Sequence, residues 1–174
     1  MFTEHIHCGD SRMTEFAEMS GEQIKAEVFA KLDQYKDRSA LEQYAIFMGK
    51  AQILEFGLKG LLARKFNVSH EEMERWTLGK AKNVLRDRGV RPDFIRLLES
   101  VVGHRNNMAH EFLVNTEITR SLANFSDRML YGDLFRALYE LEQIIILHDW
   151  CEINDGWLPG GCIRAVLPGH QQIP

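Results

Sequence analysis

Three cysteines in 174 residues, Cys8, Cys151 and Cys162, are odd in number and far apart. With no C-x-x-C pair among them they make neither a disulfide framework nor a zinc ribbon, so reduced structural thiols are the expectation. Long apolar runs are missing as well: none approaches the roughly 18 residues that cross a bilayer. Met1 to Glu15 carries acids and histidines where a secretion signal would carry basic and then apolar residues. No membrane association and a cytoplasmic location are therefore expected. Strand signals are also scarce, because β-branched residues never alternate with polar ones for long and no Asn-Gly or Asp-Gly turn joins such runs.

Excess positive charge is absent too. A formal net charge of −4 argues against a protein that coats nucleic acid non-specifically, which requires broad cationic surfaces. The charge is nevertheless unevenly placed. Residues 50–105 hold 12 Lys/Arg against 7 Asp/Glu, whereas the remainder holds 9 against 18. Lys80, Lys82, Arg86, Arg88 and Arg91 are the densest part of that basic half. They suit either a solvated helix face or a track for a phosphate backbone. His5, His7 and Cys8 could ligate metal, but no second ligand pair at matching spacing follows, so they read as part of an N-terminal arm with no metal.

What is present is helical periodicity. Ser20 and Gln23 have the spacing of a capping box ahead of Ile24, Val28, Leu32 and Tyr35. A longer helix is expected from about Ala40 to Phe66, with Tyr44, Phe47, Ala51, Leu54, Leu58 and Leu61 stepping by three and four. Ser69 and Glu72 form another capping box ahead of Met73 and Trp76, and Leu78 to Leu85 makes a further one or two turns that Gly89 ends. Pro92 suits the first turn of a helix carrying Phe94, Leu97, Leu98, Val101, Met108 and Phe112. A final helix, about Asp127 to Trp150, has Leu130, Leu134, Leu138, Leu141 and Ile145 as its core stripe. The expected fold is an all-α, antiparallel four- to five-helix bundle. Residues 1–19 form an arm and 20–153 the bundle. Residues 154–174 are expected to form an extended or loosely ordered Gly/Pro-rich tail, with Trp157, Ile163 and Val166 as candidate anchors to the body or to a partner.

One stretch fits packing poorly. Arg105-Asn106-Asn107-Met108-Ala109-His110 places an arginine, an asparagine and a histidine inside the apolar helix that begins at Pro92. A guanidinium fork matches phosphate oxygens, and imidazole exchanges a proton near neutral pH. On an ideal helix each residue turns about 100°, so Arg105 lies near the line of Val101 and Phe94, and His110 stands roughly 140° further round beside Asn106. A distorted last turn would lessen that gap. The bland alternative is an arginine that snorkels or pairs with a bundle carboxylate such as Glu55, and a histidine that serves as a cation at a helix end. His104 reads as a surface histidine and His148 as one packed at a helix end.

Val102-Gly103-His104-Arg105-Asn106-Asn107-Met108-Ala109-His110-Glu111-Phe112, preceded by Leu41-Glu42-Gln43-Tyr44 to Leu61-Leu62 and by Leu78-Gly79-Lys80, resembles the HEPN family, the higher eukaryotes and prokaryotes nucleotide-binding domains. The resemblance covers about residues 40–150. It implies a homodimer whose two motif copies face one cleft, and cutting of RNA that needs no metal or other cofactor. Arg105 and His110 match the family's catalytic pair and Asn106 its frequent polar companion. Lys80, Lys82 and Arg86 are then candidates for binding substrate, and Glu55 for orienting Arg105. The resemblance further implies a toxin or defence role with an antitoxin or nucleotidyltransferase partner. The alternative is a non-catalytic HEPN-like module that binds a nucleotide or a partner protein. A metal-dependent bundle enzyme is disfavoured, because Glu142 has no histidine at the required spacing.

Overall fold

The computed structural model describes residues 20–112 and 127–159. Over these the chain is all-α: α1 (Gly21–Asp33), α2 (Ala40–Phe66), α3 (His70–Met73), α4 (Leu78–Asp87), α5 (Pro92–Asn107), a π-helical turn (Met108–Phe112) and α6 (Asp127–Asn154). The expected boundaries of α1 and α2 agree with this to within about a turn. No helix among the described residues is long and apolar enough to cross a membrane.

Each start has a chemical cause. Ser20 accepts from the Gln23 amide while the Gln23 side chain takes the Ser20 N–H, a full capping box. Ser39 and Glu42 do the same for α2, a box that was not singled out from sequence. Ser69 accepts from the Glu72 amide at 3.2 Å, but the expected return bond from Glu72 is not formed among the described residues. Asn67 closes α2 in the left-handed region at φ 56°, and Gly89, at φ 78°, ends the segment after α4. Both positions favour residues that tolerate positive φ.

Charged pairs fix the directions of the helices. Lys50 with Glu142, Arg64 with Glu152 and Lys65 with Asp155 climb α2 and α6 together, so these two helices run parallel. Arg91 lies over the Trp150 ring while Ser100 bonds to Glu140, which makes α5 antiparallel to α6. Lys82 reaching Glu99 at 2.9 Å, with Gly79 against Val102, turns α4 antiparallel to α5.

Phe47, Leu54, Leu58, Leu61 and Leu62 of α2 meet Phe94, Leu98 and Val101 of α5 and Leu134, Ala137, Leu138, Leu141 and Ile144 of α6 in one core. Each fully buried large side chain contributes about 1.5–3 kcal/mol of transfer free energy. The α6 stripe is rotated slightly from expectation: Ile144 is fully buried and Ile145 only partly. Leu130 and Phe112 lie beyond the side chains described. Within the tail expected from Asn154, Trp157 is held against the bundle, and residues 160–174 lie outside the described residues. Trp157 is 2% exposed and its carbonyl accepts from the Arg91 amide at 2.9 Å. Its ring meets Phe94 edge-on at 5.1 Å. Ile163 and Val166, like His5, His7 and Cys8, lie outside the described residues.

Candidate functional site

The motif occupies the end of α5 and the π turn that follows. Arg105 and Asn106 fall in the last turn of α5, Arg105 half-buried and Asn106 exposed. His110 is exposed in the middle of the π turn. Met108 between them is 2% exposed, and this buried side chain pins the turn to the core. A π turn closes i→i+5 rather than i→i+4 bonds, so each residue in it sweeps less than 100°. The 140° offset of an ideal helix between Arg105 and His110 is thereby narrowed. Among the described residues neither the guanidinium nor the imidazole has a hydrogen-bond or ion-pair partner. A phosphate arriving here would meet a cation that no carboxylate among the described residues neutralises.

The other cations named from sequence are differently placed. Lys82 is paired with Glu99 and only 12% of its side chain is exposed. Arg86 folds onto its neighbour Asp87 at 3.1 Å. Lys80 sits over the Trp76 ring at 5.5 Å, exposed and without a carboxylate among the described residues. Arg91 grips Asp93 through two bonds of 2.7 Å. Of the basic cluster, Lys80 and Arg88 thus keep their charge open to solvent. Glu55 pairs with Lys59 at 2.9 Å, one turn away on its own helix, and makes no bond to Arg105. The i,i+4 spacing satisfies it locally.

His104 is not a surface histidine. Its side chain is 20% exposed and its Nε2 stands 3.1 Å from Glu140 Oε2. The same oxygen accepts from the Ser100 hydroxyl. Ser100 and His104 lie one turn apart on α5, so both reach a single carboxylate on α6. His148 packs as expected, against Trp157 at 5.3 Å, with a buried Nε2 that finds no partner among the described residues.

Glu142 is the other polar group that sequence reasoning missed. It is 1% exposed, holds Tyr35 Oη at 2.8 Å and takes the Lys50 ammonium. Burial foremost raises the Tyr35 phenol above its usual range. Burial pulls Lys50 down, but its bonds to Glu142 and Tyr35 outweigh that and its pKa is raised. The available signal was a carboxylate set beside the apolar steps at Leu138, Leu141 and Ile145.

Earlier along α5 than the motif, an open groove of about 700 Å³ lies between α5 and α6, lined by Arg96, Leu97, Ser100, Phe135, Arg136, Tyr139 and neighbours. Arg105 and His110 do not line it. A smaller hollow of about 400 Å³ between Leu32, Tyr35 and Lys36 on one side and Gly132, Phe135 and Leu138 of α6 on the other adjoins it at Phe135.

No protein-family model matches the chain, and no curated protein or solved structure matches it either. Its class rests on the fold: an all-α helical bundle with a basic, histidine-bearing helix end.

Proposed function

We propose that the chain is a HEPN-type endoribonuclease that acts as a homodimer in the cytosol, cutting RNA without a metal. The observation that carries the reading is the R-N-x-x-x-H stretch at a helix end. There Arg105 is half-buried, His110 is exposed in a π turn, and neither has a partner among the described residues.

The chemistry needs little else. RNA contains its own nucleophile, so the protein must move protons and steady the charge that grows on phosphorus. His110 takes the proton of the 2′-hydroxyl and O2′ bonds to phosphorus. The bond from phosphorus to the 5′-oxygen breaks, and that oxygen leaves with a proton from the second imidazole of the dimer. The products are a 2′,3′-cyclic phosphate and a 5′-hydroxyl. Arg105 holds the non-bridging oxygens through paired N–H bonds, and Asn106 adds a neutral hydrogen bond.

The outer side of α2 supports pairing with a second copy. Leu41, Ile53 and Phe56 are 63%, 72% and 80% exposed, with the small Ala45 and Gly49 beside them, which is an unusual face to leave in water. A toxin or defence role, with an antitoxin or nucleotidyltransferase partner, extends the same reading.

The test is cleavage of labelled single-stranded RNA in the presence of EDTA by the wild type, Arg105→Ala and His110→Ala, with dimer mass checked by light scattering. Cutting by the wild type alone, with all three forms dimeric, is the expected result. Activity that chelation removes would overturn the mechanism. A wild type that never cuts, with alanine variants that fall apart into monomers, would favour a non-catalytic assembly or nucleotide-binding module.

A further inference from the structure

The groove between α5 and α6 contains groups that the proposed reaction does not use. We infer that it is a binding subsite for the single-stranded RNA that flanks the scissile phosphate, an inference that rests on the ribonuclease reading above. Arg96 and Arg136 stand on its two walls, and neither has a carboxylate partner among the described residues. That sets them apart from Arg38, Arg64, Arg86 and Arg91, each of which is paired. Two open guanidiniums across one groove suit successive phosphates of a backbone.

The groove also offers surfaces for bases. Phe135 is 50% exposed and Tyr139 lies one turn further along the same side of α6. Phe29 holds the Tyr139 ring edge-on at 5.8 Å and 65°, so that ring is already set. Exposed aromatic faces beside cations are how proteins grip unpaired bases with little sequence preference. A duplex keeps its base faces stacked inside and cannot use them.

Among the described residues of the groove only Glu140 would repel phosphate, and its Oε2 is occupied by Ser100 and His104. Gln143 adds an amide that can face a base edge. Ten residues of helix at 1.5 Å each place Ser100 about 15 Å along the axis from His110, a distance that a few nucleotides cover. A volume of about 700 Å³ is in the range of sites that hold ligands of nucleotide size.

The test is fluorescence anisotropy of a labelled single-stranded RNA on the full chain carrying His110→Ala, which prevents turnover. Adding Arg96→Ala and Arg136→Ala together is expected to raise Kd at least tenfold. It should also flatten the dependence of log Kd on log salt by about 0.7 for each phosphate left without its guanidinium. Phe135→Ala is expected to raise Kd at least about fivefold, in line with the ~1–3 kcal/mol found for stacking one base. Arg75→Ala, an exposed cation outside the groove, should leave Kd unchanged. Unaltered affinity and salt slope in both groove variants would overturn the inference, as would binding of an acidic peptide but not RNA. The two readings fail separately. A wild type that grips RNA through the groove yet never cuts removes the nuclease and keeps the subsite. A wild type whose KM for cutting is indifferent to the groove variants does the reverse.

Discussion

The two ends of α5 are built on opposite principles. At its start, Arg91 is fastened to Asp93, reaches the Gly156 carbonyl at 3.5 Å and lies over Trp150. Its amide holds Trp157 as well. Cys151 donates to the Gly156 carbonyl at 3.5 Å, and burial pushes its thiol up to about 11. Each of these polar groups has a structural occupation. At the other end Arg105 and His110 have none among the described residues, and the helix widens into a π turn. The same residue types therefore serve different ends, and pairing is what tells them apart. Arg91 has its bonds inside the fold, whereas no carboxylate among the described residues pairs with Arg105.

The contrast can be broken from either side. The largest expected effect is at the open end: His110→Ala should slow RNA cutting by about 10²–10⁴-fold, the range for a lost proton-transfer group. Its urea midpoint should match the wild type, and a shifted midpoint would mean that the histidine is structural after all. Trp157→Ala at the tied end should do the opposite, costing about 3–5 kcal/mol of stability in urea denaturation. A loss below about 1 kcal/mol would show that the returning segment is not part of the folded unit.

Glu142→Ala should come next, at about 2 kcal/mol by the same measurement. That is below the ~3–5 kcal/mol of a fully buried broken pair, because the Lys50 side chain is 29% exposed and can turn to water. The smallest effect is with pH. Lys50 and Tyr35 are both raised in the folded state, so their protonated forms favour folding. That stability is fully present below their ordinary values near pH 10 and is lost as pH rises through the folded values. Thermal melts should decline above about pH 10 and decline less in Glu142→Ala. Equal decline in both proteins would separate the alkaline response from this network.

Much of the scaffold was legible because helix periodicity and caps are local. Ser20 with Gln23, the Phe47 to Leu61 stripe and Pro92 each announce themselves within a few residues. What lay hidden depends on helix pairing. No spacing in the chain says that Glu140 will meet Ser100 and His104, or that Lys82 will direct its charge to Glu99. The motif itself could be found, since Arg105, Asn106 and His110 break an apolar pattern. Its π turn could not, because hydrogen bonds that close one residue late leave no mark on composition. Glu55 illustrates the same limit: the candidate to orient Arg105, weighed against a solvent-facing carboxylate, pairs with Lys59 one turn away.

The widened turn also gives engineering a handle on the site. The π turn carries His110 just beyond Met108, whose buried side chain holds the start of the turn in the core. Removing Ala109 would let the coil close normally and swing the imidazole about a quarter of a revolution around the axis, with no change in the groups available for chemistry. Phase becomes a variable that can be adjusted independently of content.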